Sequence, residues 1–297
     1  MTPLIIEAAI NGVTGKERNP HVPRTPAEIA DDGRRCLAAG ATIVHNHIDT
    51  ITTDGNAAAA RYLEGWRPLL QTHADAIVYP TVGFGSTAEE RFGHIAPLAA
   101  SDLMRMSILD PGSVNLGGCD ADGLPGGAVD FVYANSFGDI RHAAALCERH
   151  RLGPSISIFE PGFLRTTLAY ARCGRLPRGA FVKFYFGGEA DYLTGQAGGV
   201  GFGMPPTAAA LDLYLSMLGD CHLPWAVAVI GGDVVASGLA RLAIERGGHV
   251  RVGLEDYVGT RTPTNVELVE EVVALASTCG RPIATAVDTS RVLDLPR

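Results

Sequence analysis

Short runs of Val, Ile, Leu and Ala alternate along the chain with longer stretches whose apolar residues recur every three or four positions. The first kind reads as strands buried on both faces, the second as amphipathic helices. Strands are expected at residues 4–10, 41–48, 75–82, 103–109, 154–160, 180–186, 225–230 and 249–254. Helices are expected at 25–39, 56–71, 86–98, 136–151, 162–173, 207–218, 234–246 and 263–279. The first helix carries its own start signal. Thr25-Pro-Ala-Glu28 sets Thr at the N-cap, Pro at the first helical position and Glu at the third, a capping box with a proline start, and Gly40 ends the helix. A Gly-rich excursion over 110–128, a short strand at 129–134 and a long Gly-rich loop over 187–206 interrupt the alternation.

Eight strands that each lead into a helix imply a parallel sheet, because every return to the same edge needs a crossover. Eight such units in 297 residues fit a (β/α)8 TIM barrel, with residues 1–297 as a single domain. The competing architecture is an open doubly wound sheet, but no G-x-G-x-x-G follows the first strand, which speaks against a dinucleotide-binding unit. Composition agrees with one sizeable core: 46% of residues are hydrophobic and 19% charged, a balance that excludes disorder. A net charge of −8 argues against a nucleic-acid or anionic-membrane partner. No apolar stretch approaches the roughly 18 residues of a membrane span. The first residues lack the basic segment of a secretory signal. Six cysteines, at 36, 119, 147, 173, 221 and 279, form no C-x-x-C pair, so reduced thiols in a cytoplasmic protein are expected.

A barrel gathers its chemistry at the C-terminal ends of its strands. There, His45-Asn46-His47 ends the second expected strand. Residues two apart share a strand face, so the two imidazoles point together and suit Zn²⁺ or another borderline metal. Glu255, at the end of the eighth strand, stands across the mouth as a third ligand, although a capping carboxylate would occupy the same place. Asp256 with Arg251 is either a positioned general base or an ion pair bracing the rim. Glu7 and Asn11 share one parity of the first strand, and Glu7 either meets Arg251 or lies beneath a metal. Thr81 and Gly83 after the third strand offer a hydroxyl and N–H groups to a carboxylate. Ser113 and Asn115 follow the fourth strand, and Glu160 closes the fifth. The N–H groups near Asp233, after the seventh strand, are arranged as a phosphate site would be. Glu7, Asn11, Thr81, Gly83, Asn115 and Glu160 are thus the expected substrate contacts.

Taken together, Ala8-Ala-Ile-Asn-Gly12, Asn19-Pro-His-Val-Pro23, His45-Asn-His47, Gly247-Gly-His-Val-Arg-Val-Gly-Leu-Glu-Asp256, Thr264-Asn-Val-Glu-Leu-Val269 and Gly280-Arg-Pro-Ile-Ala-Thr285 resemble the β-keto acid cleavage enzymes, nearly end to end. The type member of that family cleaves 3-keto-5-aminohexanoate. The resemblance implies a barrel, Zn²⁺ held by His45, His47 and Glu255, acetyl-CoA as co-substrate, and assembly as a homo-oligomer. It also implies that a β-keto acid and acetyl-CoA yield acetoacetate and a new acyl-CoA. Asp256, oriented by Arg251, would remove the proton, with the Ser113 hydroxyl near the reacting groups. The chain departs from the type member at Thr14 and Ser157, where that protein has glutamates, and at Asp49, where it has an arginine. Thr81 stands at or beside a family serine, and Glu7 replaces a small polar residue. The loss of the carboxylate at Thr14 argues against aminohexanoate, and a negative Asp49 points to an uncharged or cationic side chain on the keto acid. The alternatives are another metal-dependent barrel enzyme, a hydrolase or class II aldolase-type lyase, or a non-catalytic small-molecule-binding barrel.

Overall fold

Barrel strands buried on both faces alternate with helices that expose one, and the computed structural model, which describes residues 2–117, 120–122, 124–126, 131–191, 194–198 and 202–296, joins those strands in one eight-stranded sheet beside a separate two-stranded one. Its strands are β1 (Ile6–Ala9), β2 (Ile43–Asn46), β3 (Ile77–Pro80), β4 (Met106–Leu109), β5 (Val114–Leu116), β6 (Phe131–Tyr133), β7 (Gly153–Ile158), β8 (Phe181–Gly187), β9 (Trp225–Ile230) and β10 (His249–Val252). Eight of these pair in parallel in the order β3-β2-β1-β10-β9-β8-β7-β4. The sheet's two edges, β3 and β4, lie against each other without a ladder, so the barrel is closed by packing at that seam. The helices α1 (Pro26–Ala39), α2 (Gly55–Thr72), α3 (Ala88–Phe92), α4 (Ile95–Ala99), α5 (Phe137–His150), α6 (Pro161–Arg172), α7 (Ala208–Leu218), α8 (Leu239–Glu245), α9 (Asn265–Thr278) and α10 (Ala286–Val292) complete the chain. The capping box at Thr25 and Glu28 forms as expected, and Gly40 ends α1 with φ of 123°. Among the described residues no helix is long and apolar enough to cross a membrane.

Four local expectations are corrected. The single helix over 86–98 is two short helices, because His94 turns inward, is 2% exposed and bonds the Thr81 carbonyl at 2.9 Å through Nε2. The helix over 234–246 begins only at Leu239, since Asp233 Oδ1 accepts from the N–H groups of Val235 and Ala236, and Gly238 turns the chain at φ 80°. The Gly-rich excursion carries a hairpin in which β5 and β6 pair antiparallel, and residues 127–130, with Cys119, lie outside the described residues. The sequence reading stopped at residue 279, whereas α10 follows, opened by a capping box of Thr285 and Asp288.

The inward positions build the barrel in layers. Ile5, Ile43, Ile77, Met106, Phe181 and Ala226 form an apolar floor, sealed from below by Ala284, Leu293 and Leu295 of the C-terminal segment. That segment is tied on by Leu4 N–H to the Pro282 carbonyl and Ala284 N–H to the Leu4 carbonyl, both at 2.8 Å. His249 sits at this level, and its Nδ1 accepts the Ile5 N–H at 3.0 Å. Burial, with Arg281 nearby, pushes this imidazole down to about 3.

An unfolded histidine takes up a proton near pH 6.5, so the folded state loses ground as pH falls below that value. From pH 7 to pH 5 this single group is expected to remove about 2 kcal/mol of stability. His249→Asn keeps an acceptor for Ile5. Urea unfolding at the two pH values should show the variant losing about 1–2 kcal/mol less over that interval than the parent; equal losses would show that His249 is not a source of acid sensitivity.

Candidate functional site

His45 is the third residue of β2 and points inward, stacked on Tyr79 at a ring separation of 4.5 Å. His47 lies one residue beyond the strand and is held by its backbone. Asn11 Oδ1 accepts the His47 N–H at 2.8 Å, and Asn11 Nδ2 donates to the carbonyls of His47 at 3.1 Å and Pro23 at 3.0 Å. Strand parity does not deliver Glu255, because β10 stops at Val252. Gly253, with φ of 149°, turns the chain under Ala9, where a Cβ would come within 2.0 Å of the Ala9 carbonyl oxygen. The turn is closed by N–H groups of Asp256 and Tyr257 on the Gly253 carbonyl, at 3.2 and 3.0 Å. A turn lets consecutive side chains face the same way, which a strand forbids. Both Glu255 and Asp256 therefore reach the mouth.

Glu255 Oε2 lies 3.4 Å from His45 Nε2, and Oε1 lies 3.5 Å from His47 Nε2. One candidate ligand atom from each of the three residues falls within 4.8 Å of the others. His47 Nε2 and Glu255 Oε2 are buried with no hydrogen-bond partner. Burial lowers His45 to about 4 despite the pull of Glu255, so its ring is neutral and able to donate a lone pair. Two imidazoles, a carboxylate and polar atoms left without partners form a donor set that could hold a divalent cation.

Arg251 organises the carboxylates. Its Nε and NH2 donate to the two oxygens of Asp256 at 2.8 and 3.0 Å, NH2 also meets Glu255 Oε1 at 2.8 Å, and NH1 donates to Glu7 Oε1 at 2.9 Å. Burial alone would raise Glu255, but Arg251, His45 and His47 hold it well below the usual carboxylate range. At Asp256 burial outweighs Arg251, and the carboxyl moves up. The two neighbouring acids are thus driven in opposite directions, a pattern that suits an ionised ligand beside a proton acceptor.

Beneath them lies a charged layer that the sequence reading only partly found. Glu7 is fully buried, and its Oε1 also accepts from the Tyr79 hydroxyl at 2.6 Å and the Lys183 ammonium at 3.0 Å. Lys183 also reaches the Tyr79 oxygen at 2.5 Å. A lone lysine inside the apolar run of β8, on the inward parity of Phe181 and Tyr185, was the available signal.

Several expected substrate contacts have other partners. Glu7 is enclosed and cannot be reached from the mouth, and the Asn11 amide is committed to His47 and Pro23. The Gly83 N–H donates to the Arg91 carbonyl at 2.8 Å, and the Thr81 N–H to the Tyr62 hydroxyl at 3.2 Å. The Ser113 hydroxyl bonds the Asn135 N–H and carbonyl at 2.8 and 3.1 Å, pinning the hairpin. Asn115 is exposed on β5, opposite Val132. Glu160 Oε1 accepts the Gly203 N–H at 2.9 Å, fastening the 187–206 loop to the end of β7. The phosphate expectation near Asp233 is overturned, since that carboxylate takes the N–H groups concerned. The charge of Asp49 is matched: Arg61 grips both its oxygens at 2.8 and 2.7 Å. The Thr14 hydroxyl donates to the Leu254 carbonyl at 2.8 Å and accepts from Arg18.

Comparison with known proteins identifies the family. The profile of a family described as beta-keto acid cleavage enzyme matches residues 3–295. The chain is 30% identical over 306 residues to a 3-keto-5-aminohexanoate cleavage enzyme of Fusobacterium nucleatum, covering 100% of both chains. It is 30% identical over 309 residues to a 3-oxoadipate:acetyl-CoA acetyltransferase of Cupriavidus necator, covering 99% of this chain and 95% of the relative. Among solved structures, apo ObcA superposes with a TM-score of 0.70 at 16% identity, over 94% of this chain and 66% of that one, a likeness of fold.

Asn11→Ala removes both Asn11 bonds to the His47 backbone and leaves the bond from Asn46 Nδ2 to the His47 carbonyl at 3.1 Å. It is expected to weaken uptake of a divalent cation about 10–100-fold without unfolding the barrel, as read by titration against a chelator of known affinity. Unchanged uptake would mean that His47 needs no such support.

Proposed function

Because the chain belongs to the β-keto acid cleavage enzyme family, we propose that it joins a β-keto acid to acetyl-CoA and releases acetoacetate and a new acyl-CoA, with Zn²⁺ held by His45, His47 and Glu255. The observation that carries this reading is the convergence of a ligand carboxylate, Glu255, and a proton-accepting carboxylate, Asp256, on the single guanidinium of Arg251, facing two imidazoles. The bound metal would supply Lewis acidity toward the keto oxygen of the substrate. The chain's own residues do the rest. Asp256, aligned by the two bonds from Arg251, takes a proton from the carbon between keto group and carboxylate. That carbon attacks the thioester carbonyl of acetyl-CoA and expels the CoA thiolate. The thiolate attacks the original keto carbon, the carbon–carbon bond breaks, and Asp256 returns its proton to the acetoacetate carbon. No nucleophilic side chain enters this sequence.

The nature of the keto acid follows from what the mouth lacks. Position 14 offers a hydroxyl already engaged by Leu254 and Arg18, and Asp49 is neutralised by Arg61. An aminohexanoate would find no free carboxylate at either position, so we infer a keto acid with a different side chain.

Incubation with acetyl-CoA and a panel of β-keto acids should give acetoacetate and acyl-CoA in equal amounts for at least one member. Cleavage of an ester or an aldol without acetoacetate would replace this reading with a hydrolase or lyase. Tight binding with no turnover would make the chain a binding barrel. His45→Ala and Glu255→Gln are expected to lose zinc and activity together. Asp256→Asn should keep zinc while kcat falls by about 10²–10⁴, and a near-normal kcat in that variant would show that another group is the base.

A further inference from the structure

We propose that Lys183 is a positioning residue for this reaction: through its pair with Glu7 it leaves Arg251 shared between the ligand Glu255 and the base Asp256. Lys183 touches neither of those carboxylates. It is 1% exposed, projects inward from β8 between Ser157 and Ala226 of the flanking strands, and ends at Glu7 Oε1 and the Tyr79 oxygen. Glu7 Oε1 is the meeting point, since the Lys183 ammonium, the Arg251 guanidinium and the Tyr79 hydroxyl all donate to it.

Count the buried charges around Arg251. Three carboxylates, Glu7, Glu255 and Asp256, face two cations, Arg251 and Lys183. With Lys183 present, Glu7 has its own counter-charge and asks only one N–H of the guanidinium. Without it, Arg251 is the single cation for all three acids, and Glu7, directly beneath, draws the guanidinium down and away from the mouth. Removing the carboxylate of Glu7 as well cancels that pull, because a glutamine still accepts from NH1 without a charge. The role is therefore conditional: Lys183 matters because Glu7 is charged. Tyr79 couples the same layer to the metal side, as its ring stacks on His45 while its hydroxyl meets Glu7 and Lys183.

The inference rests on the acyl-transfer reading for its kinetic arm, and its metal arm is independent of turnover. Lys183→Met, Glu7→Gln and the double variant are prepared as full-length protein, stripped of metal and titrated with Zn²⁺ against a chelator. Then kcat and KM are measured at 25 °C, with thermal unfolding recorded in parallel. Each single variant is expected to bind Zn²⁺ about 10–100-fold more weakly and to lose a similar factor in kcat, with KM little changed. The double variant should recover both to within about fivefold of the parent. A lowered unfolding temperature in Lys183→Met with parental zinc affinity and kcat would overturn the proposal, leaving the pair a brace for the barrel. A double variant no better than the product of the singles would overturn it as well. If Lys183→Met does not fold, Glu7→Gln against the double variant decides by the same criterion. A parent that binds zinc but forms no acetoacetate sinks the acyl-transfer reading alone, and the zinc titrations still judge Lys183. A parent that takes up no divalent cation overturns both.

Discussion

One guanidinium holds three carboxylates inside the barrel. Arg251 is 2% exposed, and its donors are divided among Glu7, Glu255 and Asp256. Taking ionised groups out of water costs several kcal/mol for each ion, and the cost is recovered only where each charge meets a well-aligned partner. Removing one partner of such a group typically costs about 3–5 kcal/mol. The site is therefore stable as a unit, and it cannot be trimmed residue by residue. Two of the buried atoms without partners, His47 Nε2 and Glu255 Oε2, belong to the cluster that could hold a divalent ion.

The layers beneath explain how so much charge is tolerated. Aliphatic side chains and Phe181 fill the floor, and the C-terminal residues close it from outside. The charged layer of Glu7, Tyr79, Lys183 and Arg251 rests on that floor, and the ligands lie above it. Each strand contributes to successive layers through its alternation: Ile5 then Glu7, Ile43 then His45, Ile77 then Tyr79, Phe181 then Lys183. The same period-two pattern that builds the core also delivers the reactive groups.

Most of the fold was legible because strand and helix periodicities are local. Six of the eight barrel strands lie within the predicted stretches, β7 and β8 each overrun theirs by one residue, and the capping box at Thr25 announces α1. The three residues that could hold a metal were legible as an H-x-H and a Glu-Asp pair near strand ends. What remained hidden depended on distant partners. His94 breaks a helix for the sake of the Thr81 carbonyl. Asn11 reads as a substrate contact until His47 is seen against it. Asp49 reads as a bare charge until Arg61 arrives from α2. Lys183 is a single polar letter in an apolar strand, and only the closed barrel brings it to Glu7, 176 positions away.

The turn at Gly253 has a mechanical corollary. Glu255 and Asp256 are neighbours on one short, doubly bonded bend, packed against Ala9 and clamped by one arginine. Any movement of the rim would carry the two carboxylates together rather than part them. Their mutual spacing is thus a property of the bend and not of the loops around the entrance.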